Sequence, residues 1–293
     1  MRDQLKIWLL ATRPRTLTLS LAPVAVGAAL ALAASGGLRW SAVVVALLAS
    51  ALIQIGTNLH NDAADFFRGG DGPDRIGPTR VVAAGLIDAR TVERAAAGCF
   101  AGAALCGLYL VWLGGPPILA LGLVSILCGW LYSSGPKPIA ATPFGELFVI
   151  AFFGLGATCG TYYLTAGRLD AVAFFGGAAL GLFAAAVLLV NNHRDRIADA
   201  RNGRRTLAIL LGPRGSAVLY AALMLTPFLL LFPIAALLSS RAVLLALAAT
   251  PLSLWLIRRF FREPPGPGFN LILAATAQCQ AGFALLLCIG ANL

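Results

Sequence analysis

Long apolar stretches separated by short polar loops make up most of this chain. An α-helix needs about 20 residues to cross the hydrocarbon core of a bilayer, and windows of that length predict nine membrane-spanning helices. The predicted spans are Leu17 to Ala34, Ser41 to Asn61, Thr91 to Leu113, Ile118 to Tyr132, Gly145 to Thr165, Ala171 to Asn192, Ser216 to Leu238, Ala242 to Ile257 and Leu271 to Ile289. We therefore expect an all-α, polytopic membrane bundle of about nine transmembrane helices, in which the Ile118 and Ala242 spans are short.

The composition agrees with a protein that lies in a lipid bilayer. Hydrophobic residues make up 59% of the 293 residues and charged residues only 12%, with a mean hydropathy of +0.85, whereas a soluble domain has about 25% charged residues. The net charge of +10 could suggest a nucleic-acid partner. The basic residues, however, lie in short loops between apolar stretches, which indicates membrane orientation and no nucleic acid.

Basic residues are divided unevenly between the two sides of the predicted membrane. With nine spans, 19 lysines and arginines fall on one side and three, Arg39, Arg168 and Arg241, on the other. Positive charge collects in cytoplasmic loops. We therefore expect a cytoplasmic N-terminus, with the ends of the second and sixth spans also on the cytoplasmic side.

A short polar motif ends both of these spans. Residues 58 to 65 read NLHNDAAD and residues 191 to 199 read NNHRDRIAD; we name them the first and second aspartate motifs. Both begin N-x-H-x-D and place a further aspartate one helical turn later. Their acids are Asp62, Asp65, Asp195 and Asp199.

The recurrence of the motif predicts an internal repeat. The two copies are 133 positions apart, and each ends an even-numbered span. The sequence therefore predicts a single integral-membrane domain over residues 1–293. It would consist of two four-helix pseudo-repeats, roughly 16–133 and 144–257, followed by a ninth helix.

The motif residues are suited to a metal ion and a polyphosphate. Carboxylates three or four residues apart share one helix face, and two such faces brought together offer the oxygen ligands that Mg²⁺ prefers. We predict that the four aspartates are catalytic and bind Mg²⁺ together with Asn58 and Asn191. Arginines donate in a fork to phosphate oxygens. The predicted phosphate-binding residues are Asn58, Arg75, Arg80, Lys137, Asn191, Arg194, Arg204 and Arg205.

Three other polar residues near the motifs have competing interpretations. His60 and His193 each lie two residues before an aspartate, about 200° around an ideal helix. They therefore face away from it, which favours packing or hydrogen bonding over metal binding. Glu146 is the only other acid well inside apolar sequence near this side. It either orients a second substrate or caps the fifth span.

The sequence resembles the UbiA superfamily of intramembrane aromatic prenyltransferases, and within it the 1,4-dihydroxy-2-naphthoate branch. The resemblance covers nearly the whole chain, and NNHRDRIADARNGRRTLAILLG is its most specific part. Further matching segments are ATRPRTL, PVAVG, NLHNDAADFFRGGDGPDRIGPTR, YSSGPKP, GELFVIAFFG and GTYYLTAG. In the family's first motif the second acid often follows the first by four residues, whereas Asp65 follows Asp62 by three. This departure leaves open which of the two reaches the metal.

The resemblance implies a U-shaped helical bundle in a bacterial inner membrane, with a cavity that opens to lipid. It implies transfer of a polyprenyl group from polyprenyl diphosphate to 1,4-dihydroxy-2-naphthoate, with loss of CO₂ and diphosphate, giving demethylmenaquinol. Aromatic faces that stabilise an allylic cation would line the cavity, with Phe144, Phe148 and Phe152 among them. The residues expected near the acceptor are Arg13, Tyr132, Glu146, Tyr162 and Tyr163.

Other functions remain open at this point. A related enzyme could use 4-hydroxybenzoate, homogentisate or a tetrapyrrole as acceptor. A transporter could use the acidic cluster as a cation site, although transporter sites usually lie near the bilayer midplane in broken helices. A structural membrane subunit would show no dependence on a metal.

Overall fold

The computed structural model describes residues 2–69, 76–77 and 79–293, and all regular secondary structure in these ranges is helical. Two 3₁₀ turns, Pro14–Thr16 and Ile139–Ala141, lie between longer helices. Those helices are α1 Arg2–Thr12, α2 Thr18–Ser35, α3 Trp40–Phe67, α4 Ala89–Gly114, α5 Pro116–Leu131, α6 Gly145–Ala166, α7 Ala171–Arg201, α8 Leu207–Leu238, α9 Arg241–Arg262 and α10 Gly268–Ala291.

The nine predicted spans correspond to α2 through α10. In the described part of the chain, eight of these helices are long and apolar enough to cross a bilayer, and α5 is an apolar helix of 16 residues. The predicted all-α membrane bundle is therefore confirmed. Large apolar side chains such as Leu105, Trp112 and Leu229 are exposed and do not line the cavity described below, as expected of a surface that faces lipid.

The two helices that carry the aspartate motifs extend past their predicted ends. α3 continues to Phe67 and α7 to Arg201, so each helix runs through its whole motif. The first glycine after each motif, Gly69 or Gly203, has a positive φ of 67° or 73°, a common helix end. All four motif aspartates therefore project from regular helix.

α8 begins earlier than its predicted start at Ser216. The helix starts at Leu207 and is interrupted at Gly212, whose φ of 66° and ψ of −174° are not helical. The predicted start corresponds to the part of α8 that follows this break.

α7 is the central helix of the bundle. Its apolar residues pack against α2, α6, α8 and α10 in the largest core cluster. The ring of Phe183 lies 5.9 Å from that of Phe228 and 5.1 Å from that of Phe283, measured between centroids. Gln280 of α10 donates to the Leu180 carbonyl oxygen at 3.0 Å. α7 is thus fixed on several sides before it reaches its motif.

α6 approaches α7 through glycines. The middle of α6, Ile150–Gly156, is a π-helix. A Cβ atom on Gly154 would lie 2.4 Å from the carbonyl oxygen of Gly177 and 2.5 Å from the Cα of Gly181. Small residues of this kind let membrane helices approach closely.

We predict that Gly154→Ala destabilises the fold by roughly 1–3 kcal/mol, because a methyl group cannot fit without moving two backbones apart. The measurement is thermal unfolding of purified protein in detergent. Gly98→Ala in α4 is the matched control, since a Cβ there meets nothing within 4 Å. Equal melting temperatures for the two variants would contradict the close contact between α6 and α7.

Candidate active site

A cavity of about 1100 Å³ lies between α2, α3, α4, α5, α6, α7 and α10. Most of its wall is apolar, and polar side chains gather where α3 and α7 end. The described residues of α8 and α9 do not line it. The predicted site residues in its wall are Arg13, Asn58, Asp65, Arg80, Tyr132, Asn191, Arg194, Asp195, Asp199 and Arg204.

Arg204 joins the two aspartate motifs. Its Nη2 donates to Asp65 Oδ1 at 3.0 Å, and its Nη1 lies 3.3 Å from Asp199 Oδ1. Burial alone would lower the pKa of Arg204, but the carboxylates of Asp65 and Asp199 raise it overall. A charged guanidinium therefore spans the ends of α3 and α7, and the predicted convergence of these two ends is observed.

Asp65 lies at the centre of an arginine cluster. Only 2% of Asp65 is exposed. Its carboxylate accepts from Arg80 Nη2 at 2.6 Å and from Arg68 Nη2 at 3.2 Å, in addition to Arg204. Arg68 also donates to the carbonyl oxygen of Ser133 at 2.6 Å. These contacts balance a buried negative charge, which would otherwise be strongly destabilising.

Arg194 holds the second motif in position. Its Nε and Nη2 form a fork on Asp195, at 2.8 and 2.6 Å, and Nη2 also donates to Asn191 Oδ1 at 2.8 Å. Its Nη1 donates to Asn270 Oδ1 at 2.7 Å, and Asn270 Nδ2 donates to the carbonyl oxygen of Ile76 at 3.1 Å. Arg194 was predicted to bind phosphate, but in this arrangement most of its donors orient Asp195 and Asn191.

Asp62 does not line the cavity. It is 3% exposed, and its Oδ2 accepts from the backbone N–H of Val81 at 3.1 Å. Arg80 Nη1 donates to the carbonyl oxygen of Asn61 at 3.1 Å. Of the two first-motif acids, Asp65 is thus the one that faces the cavity, and Asp62 holds the segment that presents Arg80.

Arg13 and Tyr132 are the predicted acceptor-binding residues that reach the cavity. Arg13 has a left-handed backbone with a φ of 53°, which is uncommon outside glycine and often marks a functional site. Asn58 Nδ2 donates to the carbonyl oxygen of Thr12 at 3.2 Å, which fixes the chain just before Arg13. Burial raises the pKa of Tyr132, so its hydroxyl stays neutral.

Several predicted residues lie outside the cavity wall. Tyr162 is fully buried, and its hydroxyl donates to Asp170 at 2.6 Å. It lies 16 positions after Glu146 on α6, roughly 24 Å along the axis, and Tyr163 packs nearby in a core cluster. The sequence could not show that the two tyrosines lie outside the cavity wall, because both share a helix with residues close to the site. Lys137 and Arg205 are exposed and do not line the cavity, and Arg75 lies outside the described residues.

Glu146 packs behind the wall of the cavity. It is 4% exposed, and its Oε1 accepts from Asn192 Nδ2 at 2.9 Å. It is the second residue of α6, as expected of an acid near the start of a helix. In this arrangement Glu146 orients Asn192, which does line the cavity.

The motif histidines face away from the cavity, as predicted. His60 Nε2 lies 2.6 Å from Ser134 Oγ, and its ring stacks on Trp130 at 4.1 Å. The His193 ring packs between Phe260 and Phe269, at 4.8 and 4.9 Å. Both histidines connect the motif helices to neighbouring elements.

The predicted set of site residues lacks Arg68, Arg201 and Asn270, which complete the site. Arg68 follows Asp65 by three residues, a spacing that places the two on one helix face, so it could have been found. Arg201 lines the cavity at the end of α7. Asn270 is far from both motifs in sequence, and only the packing of α10 brings it to Arg194.

The residues present fit a hard divalent cation that is shared with a phosphate ligand. Asp65, Asp195, Asp199 and Asn191 supply carboxylate and amide oxygens in one part of the wall. Among the described residues, no three histidine, cysteine or acidic side chains are gathered closely enough to hold a metal alone. Mg²⁺ typically takes only one or two carboxylates and completes its shell with phosphate oxygens and water, so this donor set suits it.

This fold and site define an intramembrane prenyltransferase: residues 20–267 match the UbiA prenyltransferase family, and the chain belongs to that family. Among solved structures, a UbiA homolog from Aeropyrum pernix has a TM-score of 0.71 at 17% identity, covering 92% of this chain and 97% of that one. A UbiA homolog from Archaeoglobus fulgidus bound to GPP and Mg²⁺ has a TM-score of 0.64 at 17% identity, covering 98% and 100%. At these identities the comparison shows that the folds are similar and carries no further conclusion.

Curated relatives are closer in sequence. The chain is 39% identical over 247 residues to a 1,4-dihydroxy-2-naphthoate octaprenyltransferase of Mycobacterium tuberculosis, which covers 84% of this chain and 83% of that protein. The similarity therefore extends over most of both chains.

We predict that Arg204→Gln lowers thermal stability in detergent by roughly 1–3 kcal/mol, because it leaves Asp65 and Asp199 close together without their shared counter-charge. Arg168→Gln is the matched control. Its partner is Asp170, and its side chain is 63% exposed, so its loss should cost less than about 1 kcal/mol. If both variants melted at the same temperature, the contact between the motifs would contribute nothing to stability.

Proposed function

We propose that this protein transfers a polyprenyl group from polyprenyl diphosphate to 1,4-dihydroxy-2-naphthoate, releasing CO₂ and diphosphate and giving demethylmenaquinol. The observation that carries the proposal is the joining of Asp65 and Asp199 by Arg204 beside a large, mostly apolar cavity. Similarity to a curated enzyme named for this acceptor, over more than 80% of each chain, supports the choice of acceptor.

The diphosphate of the donor would bind between the two aspartate motifs. Asp65, Asp195 and Asp199 supply carboxylate oxygens that would hold Mg²⁺, which neutralises the negative charge that develops on the departing diphosphate. Arg80 and Arg204 are within hydrogen-bond distance of Asp65, and guanidinium groups bind phosphate oxygens as readily as carboxylates. The donor's allylic C–O bond then breaks with its leaving group already bound on several sides.

The apolar part of the cavity would hold the prenyl chain and the cation that forms from it. Phe148 and Phe152 line the wall, with nearly parallel rings whose centroids are 6.0 Å apart. Aromatic faces stabilise a nearby cation, and an apolar wall keeps water from capturing it.

The acceptor ring would lie between the diphosphate and the N-terminal segment. Arg13 can hold the acceptor's carboxylate, whereas Lys137, another basic residue near the site in sequence, is exposed and outside the wall. The ring carbon that bears the carboxylate attacks the cation and forms the new C–C bond. The bond to the carboxylate then breaks, CO₂ leaves, and its electron pair restores the aromatic ring. No ring proton is removed, so no general base is needed for this step.

The protein is a multi-pass membrane protein, and we place it in the bacterial inner membrane with the aspartate motifs facing the cytoplasm. The excess of basic residues on the side of the motifs supports this orientation. The cytoplasmic side is also where a water-soluble, anionic acceptor would be available.

We predict that Asp195→Asn and Asp199→Asn each lower prenyl transfer by roughly a hundredfold or more, because each removes a charged ligand from the diphosphate site. The assay is formation of prenylated product by purified protein at limiting Mg²⁺, and chelation of Mg²⁺ should abolish wild-type turnover. Asp88→Asn is the control, since Asp88 caps α4 away from the cavity and asparagine caps equally well. Wild-type turnover by Asp195→Asn protein would refute the metal assignment.

For the acceptor, we predict that carboxyl-labelled 1,4-dihydroxy-2-naphthoate releases labelled CO₂ in step with product. The other candidate, 4-hydroxybenzoate, would have to lose a ring proton and keep its carboxylate. Membranes are incubated with a labelled prenyl diphosphate and each acid in turn. Product from 4-hydroxybenzoate, with none from the naphthoate, would favour the alternative acceptor.

A further inference from the structure

Gln54 is a buried polar residue in the cavity wall that the steps above do not use. It lies on α3, and only 7% of it is exposed. Its Oε1 is buried and has no hydrogen-bond partner among the residues that the structure describes. A buried amide without a partner is destabilising, and the surrounding wall is mostly apolar. A bound ligand that pairs with the amide would remove that penalty.

Gln54 is the deepest member of a polar row on α3. Gln54, Asn58, Asn61 and Asp65 all line the cavity, and their spacing of three or four residues places them on one helix face. Asn58 donates to the Thr12 carbonyl and Asn61 Nδ2 to Ser133 Oγ at 2.8 Å, while Asp65 binds three arginines. Protein partners thus engage the rest of the row.

Two neighbouring hydroxyl groups use their protons elsewhere. Ser50 lies one turn before Gln54, and its hydroxyl donates to the carbonyl oxygen of Ser20 at 2.9 Å. The Ser20 hydroxyl in turn donates to the carbonyl oxygen of Leu17 at 2.9 Å. Unlike these two hydroxyl groups, the Gln54 amide can both donate to and accept from a ligand.

We propose that Gln54 recognises the acceptor's ring hydroxyl that lies farther from the carboxylate, the 4-hydroxyl. The inference rests on the proposed function. The bond from Asn58 to the Thr12 carbonyl places Arg13 beside Asn58, and Gln54 lies one turn, about 6 Å, deeper along α3. An acceptor whose carboxylate is held by Arg13 therefore directs its far hydroxyl towards Gln54. A site that hydrogen-bonds a substrate hydroxyl discriminates against rings that lack it.

The test is Gln54→Met, which keeps the length of the side chain and removes the amide. The KM for 1,4-dihydroxy-2-naphthoate should rise roughly five- to tenfold, the loss expected for one hydrogen bond. The KM for the prenyl diphosphate should stay within about twofold. The inhibition constant of 1-hydroxy-2-naphthoate, which lacks the 4-hydroxyl, should also stay within about twofold. If the role of Gln54 were purely structural, the KM for the diol and the inhibition constant of the analogue would change by the same factor.

Gln280→Met is the matched control. Gln280 is fully buried, and its Oε1 likewise has no hydrogen-bond partner within the described part of the chain, but it packs between α10 and α7, away from the cavity wall. Its loss should lower the melting temperature and leave the KM for the acceptor unchanged. Gln54→Asn retains the amide but draws it back towards α3, and this variant replaces Gln54→Met in the test if the methionine variant does not fold. It should raise the KM for the diol and leave the inhibition constant of 1-hydroxy-2-naphthoate unchanged.

Two results would overturn the assignment. One is an equal change in the KM for the diol and in the inhibition constant of the 1-hydroxy analogue. The other is no change in either constant, which is expected if water alone satisfies the amide. Failure of the proposed function is distinguishable, because wild-type protein would then not convert the diol at all. In that case the proposed role of Gln54 would be refuted as well.

Discussion

A guanidinium shared by two carboxylates is the interaction on which the site depends. Asp65 and Asp199 come from helices far apart in sequence, and both are largely buried. In such surroundings their charges would repel each other and drive the helix ends apart. Arg204 lies within 3.3 Å of both, and it converts that repulsion into attraction. Contacts within the protein therefore hold the donors for metal and phosphate together.

The two aspartate motifs are supported differently despite their similar sequences. Asp65 of the first motif faces the cavity and draws arginines from three segments. Asp195 of the second is held by Arg194, the residue next to it. The helices after the motifs differ as well, since α4 and α5 line the cavity and α8 and α9 pack behind it. The two motifs thus lie in different surroundings.

The sequence was sufficient for the features that depend on local pattern. The spans follow from hydropathy, and the orientation of His60 and His193 follows from the helical repeat. The predicted site residues that lie outside the cavity wall are placed there by packing between distant segments. Tyr162 lies on the same helix as residues near the site, but its hydroxyl binds Asp170 at the other end. Asp62 and Asp65 are only three residues apart, but Asp62 accepts a hydrogen bond from the backbone of Val81 whereas Asp65 lines the cavity.

The short helix α5 has a consequence for the surrounding lipid. Its 16 residues span roughly 24 Å, whereas the hydrocarbon layer is about 30 Å thick. Two of its leucines, Leu119 and Leu123, are exposed and also line the cavity. Local thinning of the bilayer is one way to match a span this short. Headgroups beside this wall would then lie nearer to the midplane, so an amphiphile with an anionic head and a long tail would have less distance to move its charge before it docks.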